Sequence, residues 1–114
     1  MTATELDTVA RAVESFHLSP ETNWETGVLV VHPDIDTAVQ IGLRLANKGY
    51  RVWTAKSGSD GMWEGLAHAE TLAAVVTAPK LPDIPGAELY RRLKLTLPGL
   101  LCYMLATAES VIGI

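Results

Sequence analysis

The run Val28-Leu29-Val30-Val31 constrains this chain most: four consecutive apolar residues, three of them β-branched, followed by the polar turn His32-Pro33-Asp34 and a helical pattern. A run of this kind, bounded by a turn, predicts a strand buried on both faces, as in a parallel sheet covered by helices on either side. In an open parallel sheet the chemistry lies outside the carboxyl ends of the strands. The residues after Val31 are therefore the first place to look for a site, and they are a histidine and a proline.

The same grammar repeats downstream. Pro33 and Asp34 open a helix whose apolar stripe is Ile35, Ala38, Val39, Gly42, Leu45 and Ala46, running to about Lys48 and ended by Gly49. Arg51 to Ala55 is a second strand, and Ser57-Gly58-Ser59-Asp60 caps a second helix to about Ala69. Gly61 and Gly65 in that helix each cost about 1 kcal/mol relative to Ala, so tertiary contacts from Met62, Trp63 and Leu66 are expected to hold it. Leu72 to Thr77 is a third strand. A loop containing Pro79, Pro82 and Pro85 leads to a third helix, Gly86 to Leu95, with the stripe Leu89, Tyr90 and Leu93. After the turn Pro98-Gly99, Leu100 to Leu105 reads as a fourth buried strand. Strands alternating with helices predict βαβ units, right-handed crossovers and helices on both faces.

Upstream, Leu6, Val9, Ala10, Val13, Phe16 and His17 recur at spacings of three and four over residues 3–18, an amphipathic helix that Thr2 or Thr4 caps and Ser19-Pro20 ends. The chain thus divides into an N-terminal helix and linker, residues 1–26, and an α/β body, residues 27–114. Trp24 in the linker is expected to pack back on the body.

Composition narrows the function classes. At 114 residues the chain is one domain, and 48% apolar against 19% charged residues points to apolar surface shared with a partner. A net charge of −4 and the absence of any Lys/Arg run argue against a nucleic-acid or anionic-membrane footprint. No apolar run approaches the ~18 residues of a membrane span, and Glu5 and Asp7 stand where a leader would be basic, so a cytoplasmic location is expected. The single Cys102 reads as a small buried hydrophobe. No glycine-rich phosphate loop, metal-ligand cluster or nucleophile–base set is present, and Thr77 and Thr107 have no identifiable base. No enzymatic activity, metal or cofactor is expected.

From Val28 to about Glu109 the chain resembles the receiver domain of bacterial response regulators, a flavodoxin-like fold of strand order 2-1-3-4-5. The resemblance rests on Val28-Leu29-Val30-Val31 with Asp34 and Asp36, Gly49-Tyr50-Arg51-Val52, Thr54-Ala55 with Ser57-Gly58, Leu81-Pro82-Asp83-Ile84-Pro85-Gly86, and Thr107-Ala108. It implies an acidic pair for Mg²⁺ after the first strand, where this chain has His32 and Pro33, neither a hard oxygen ligand. Asp34 alone does not replace the pair. The phosphoacceptor aspartate falls on Ala78, and a methyl group cannot be phosphorylated. The switch hydroxyl matches Thr107, while the lysine of the fifth strand has no counterpart before Ile114. The resemblance therefore implies a pseudo-receiver with a sheet of order 2-1-3-4, shortened by its fifth strand and carrying an extra N-terminal helix.

Without that strand, the fourth becomes an edge open to pairing, and apolar area beside the first helix needs a cover. The stripe of the N-terminal helix is an available cover, from its own chain or a neighbour's. The expected interaction surface is accordingly Leu100, Leu101, Tyr103 and Leu105 with Leu6, Val9, Val13 and Phe16. The expected role is a protein–protein interaction module with a protein partner, a homodimer or both. Two alternatives stay open: a regulatory domain binding a small ligand in a cleft of His32, Pro33, Ala78, Pro79 and Thr107, and a receiver fragment of a larger regulator.

Overall fold

A computed structural model describes residues 2–16 and 26–105. Helix α1 (Ala3–Glu14) is followed by β1 (Gly27–Val31), α2 (Ile35–Asn47), β2 (Arg51–Ala55), α3 (Gly58–Ala67), β3 (Leu72–Thr77), α4 (Gly86–Thr96) and β4 (Leu101–Met104). The four strands form one sheet in the order β2-β1-β3-β4. Every pairing is parallel.

Burial explains the order. All five residues of β1 are buried, with Val28 to Val31 fully so, because strands flank β1 and helices cover both its faces. On one face Val28, Val30, Ala74 and Val76 pack with Ala38, Ile41 and Leu45 of α2 and with Leu6, Val9, Ala10 and Val13 of α1. On the other, Leu29, Val31 and Val75 pack with Leu89 and Leu93 of α4. Thr2 caps α1 in a reciprocal box with Glu5, and Gly49 leaves α2 at a positive φ of 99° that suits glycine.

Three expectations about faces are corrected. Ile35 and Val39 are not in the buried stripe of α2: they are 46% and 44% exposed, and Ala46 is exposed too, because Ile41 takes the place facing the sheet. Trp63 and Leu66 do not hold α3, being 76% and 44% exposed. That helix seats itself through Gly58, Gly61 and Gly65, its buried residues, with the methyls of Leu89 and Leu93 lying against the last two. The fourth strand is shorter than expected and only half-buried, since β3 alone flanks it among the described residues. The helix expected over residues 3–18 is described to Glu14, while His17 and Trp24 lie outside the described residues.

Candidate functional site

The strand ends bring His32, Pro33, Asp34 and Ala78 together. The amide of His32 donates to the Ala55 carbonyl at 3.0 Å, and the amide of Ala78 donates to the Val31 carbonyl at 2.9 Å, so the exits of β1, β2 and β3 lie side by side. Thr107, the fifth residue of the expected group, lies outside the described residues.

The polar side chains His32 and Asp34 both take part in local hydrogen bonds. The amide of Asp34 donates to His32 Nδ1 at 2.9 Å, which makes this imidazole the neutral tautomer with its proton on Nε2. Burial pushes the His32 pKa below its ordinary value, outweighing the pull of the Asp34 carboxylate in the other direction. The Asp34 carboxylate caps α2: it accepts from the Asp36 amide at 3.1 Å and from the Thr37 hydroxyl at 3.0 Å, and these bonds, the hydroxyl's first, lower its pKa. Pro33 offers no donor atom. This set does not fit Mg²⁺, which needs several hard oxygens in octahedral array, and no group of three His, Cys, Asp or Glu among the described residues is placed to hold a metal.

Ala78 is 5% exposed. Its carbonyl accepts from the Thr77 hydroxyl at 3.0 Å, and a Cβ on Gly86 would come within 2.2 Å of the same oxygen. The loop between them is pinned at both ends. Gly86 donates to the Pro79 carbonyl at 3.0 Å, and the Asp83 carboxylate accepts from the amides of Gly58 and Ser59, each at 2.7 Å. Asp83 thus neutralises the amino end of α3, and those amides hold its carboxyl below the usual range. Sequence reasoning missed this clamp. The available signal was an acid in the turn preceding α4 and unsatisfied amides at the start of α3, after Ser57.

A cavity of about 360 Å³ lies between Ile35, Thr54, Ala55, Lys56, Asp60, Trp63 and Glu64, and another of about 400 Å³ between Arg51 and the turn after α3. Both are lined by residues other than the strand-end group.

The expected interaction surface is largely interior. Leu6, Val9 and Val13 of α1 and Leu105 are buried together because α1 lies across the sheet beside α2 and β4, while Leu100, 2% exposed, is buried on the opposite face with Leu89 and Leu93 of α4. Leu101, Tyr103 and Phe16 are half-buried at the margin of the same cluster. Cys102 is also half-buried, and burial pushes its thiol up to about 11, so it is no nucleophile at neutral pH.

Solved structures carry this arrangement of strands and helices. A response regulator receiver domain protein from Clostridium thermocellum superposes with a TM-score of 0.65 at 23% identity, over 69% of this chain and 63% of that one. The fold is that of a response-regulator receiver domain. The same receiver fold is matched in the CheX-CheY-BeF3-Mg²⁺ complex from Borrelia burgdorferi, with a TM-score of 0.64 at 18% identity, over 69% of this chain and 60% of that one. In sequence, 84 residues, 74% of this chain, are 27% identical to the transcriptional regulatory protein GlrR of Escherichia coli K12 and span 18% of its length. No protein-family model matches. Relative to the receiver pattern, α1 is an added helix, and it occupies the sheet face that α2 leaves open beside β4. No described helix with this receiver fold is long and apolar enough to cross a membrane.

Proposed function

We propose that this chain is a phosphorylation-incompetent receiver-like module that acts without catalysis, through protein contacts, as an adaptor, localisation or regulatory factor in the bacterial cytoplasm. The observation that carries the reading is Ala78: at the end of β3, where the resemblance expects an aspartate, stands a buried methyl, on a residue whose carbonyl the loop entering α4 approaches closely at Gly86. The neighbouring donors agree with it, since His32 and Asp34 are committed to local hydrogen bonds and Pro33 has none to offer. The CheX-CheY complex supports the protein-contact part, as a protein of the same fold held by another protein. Incubation with acetyl phosphate and Mg²⁺, followed by intact-mass measurement, is expected to leave the mass unchanged. Stoichiometric gain of one phosphoryl group, abolished by a single substitution, overturns the reading.

A second reading is favoured by the match to 18% of GlrR: the chain is the receiver portion of a larger transcriptional regulator. A broad, non-cooperative melt of the isolated chain favours it, and a sharp two-state melt favours an independent module.

A further inference from the structure

Among the described residues, four of the exposed large apolar side chains, Ile35, Val39, Leu43 and Trp63, gather around the edge opposite β4, while Leu95 and Met104 stand elsewhere. Strand β2 pairs with β1 alone among the described residues, and its other side is open. On one wall of that edge, α2 carries Ile35, Val39 and Leu43 at i, i+4 and i+8, exposed by 46%, 44% and 60%. These three residues point away from α1, which grips the other flank of α2 through the pairs Arg44–Asp7 and Lys48–Glu14. On the opposite wall stands Trp63, 76% exposed, which with Ile35 and Thr54 borders the cavity at the carboxyl end of β2. Apolar side chains of this size, grouped and rimmed by charge, mark an association surface.

We propose that this edge is a homodimer face, in which two copies pair β2 antiparallel about a two-fold axis at Trp53. The proposal is independent of the phosphosite reading. Hydrogen-bond parity permits this register. Arg51 donates inward to the Thr26 carbonyl, and the Ala55 carbonyl accepts inward from His32. In a parallel ladder inward and outward groups alternate, so Arg51, Trp53 and Ala55 face β1 with their peptide groups, while Val52 and Thr54 direct theirs to solvent. An antiparallel copy centred on Trp53 sets Val52 against Thr54 of the second copy, and Thr54 against its Val52, so every outward donor meets an acceptor.

Charge selects a second copy as the occupant. Arg51 shares the α3 side of the sheet with Trp53, whose ring stacks on His68 at 3.9 Å. Asp60 and Glu64 stand on α3 at the other end of the same edge, where they outnumber the one cation beside them, Lys56. Reversing the strand brings Arg51 of each copy to the acidic end of the other, which makes two equivalent attractive contacts by symmetry. Arg51 has no ion pair among the described residues. The α2 stripes of the two copies then close against each other over the joined sheet.

Sedimentation equilibrium of the whole chain tests this, beside the variants Thr54→Pro, Leu43→Glu and Arg51→Glu. Proline at Thr54 deletes an amide that β1 does not use and so spares the intrachain ladder. The expected result is a dimer for the whole chain, a monomer for T54P and L43E, weakened association for R51E, and recovery of the dimer when R51E is combined with Glu64→Arg. Circular dichroism confirms that each variant is folded, and should T54P not fold, L43E decides. A monomer at all concentrations up to about ten times the usual micromolar range of specific association overturns the proposal. So does a dimer that survives L43E and T54P, which would place the second copy at β4.

Discussion

His32 is the residue whose environment makes the sharpest solution prediction. Its Nδ1 accepts the Asp34 amide, a bond that only the neutral ring can make, and burial lowers its pKa from the ordinary 6.5. As pH falls below 6.5 the unfolded chain takes up the proton first, so this residue's contribution to stability is present above that value and is lost as pH falls toward the folded pKa. Heteronuclear NMR should find His32 as the Nε2–H tautomer, titrating below 6.5. Thermal melts across that range should lose less stability in His32→Asn, whose amide oxygen can still accept from Asp34. Asp83 carries a second prediction at this scale. Its two 2.7 Å bonds to Gly58 and Ser59 require the carboxylate, and its folded pKa is depressed from 3.8. Its stabilising contribution is therefore present above that value and falls away as pH drops through the folded pKa. D83N should melt a few degrees lower than the parent at neutral pH, and the gap should narrow in acid. A gap that stays constant between pH 7 and 2 would show that the charge is not what ties the loop to α3.

At the scale of elements, α3 and the entry to α4 separate two kinds of glycine. At Gly86 an added Cβ would lie 2.2 Å from a backbone carbonyl that β3 and its loop fix in place. At Gly65 the nearest atom, at 2.7 Å, is the end of the flexible Leu93 side chain. G86A should cost about 1–3 kcal/mol through overpacking, whereas in G65A a small shift of Leu93 is offset by helix propensity of about 1 kcal/mol, leaving it near neutral by chemical denaturation. This contrast also shows what was legible in the sequence. Arg51 to Ala55 and Leu72 to Thr77 were bounded residue for residue, because strands in a covered parallel sheet must carry apolar, β-branched runs between turns. The facing of α3 was not legible, since hydropathy registers Trp63 and Leu66 and is blind to a helix seated through glycines. In α2 the ambiguity was of another kind: Ile35 and Val39 have the same chemistry as the buried Ile41, and only the position of the sheet tells them apart. At the site, Ala78 and Pro33 support an expectation from their chemistry alone, since a methyl cannot take a phosphoryl group and a proline side chain offers no ligand atom. The Asp83 clamp joins groups 24 and 25 residues apart through backbone amides, so its two halves, an acid before α4 and open amides at the start of α3, are each visible locally while their pairing is not.

For the whole molecule, the decisive arrangement is that α1 is part of the core although it precedes the sheet by a linker. Val13 is fully buried, and Leu6, Val9 and Ala10 join the same cluster as Leu101, Tyr103 and Leu105 of the β4 region. The ion pairs of α1 with α2, Arg44–Asp7 and Lys48–Glu14, are solvated, and such pairs add little. The attachment is therefore apolar, and it should respond to lost methyl groups and hardly at all to salt. V13A should cost about 2 kcal/mol, seen as a single calorimetric transition shifted down by roughly 5–10 °C. Raising the salt to 1 M should move the parent and V13A together. A chain starting at Thr26 should melt lower still and aggregate on heating, because the sheet face beside α2 would then meet water. If that shortened chain instead kept the parent's transition and lost only helical signal, α1 would be a separable layer docked on a domain complete without it. A single transition shifted as a whole makes the helix part of the cooperative unit, with its apolar stripe already satisfied within the chain, so that among the described residues the β2 edge and the half-buried margin of β4 are sheet edges that α1 does not cover.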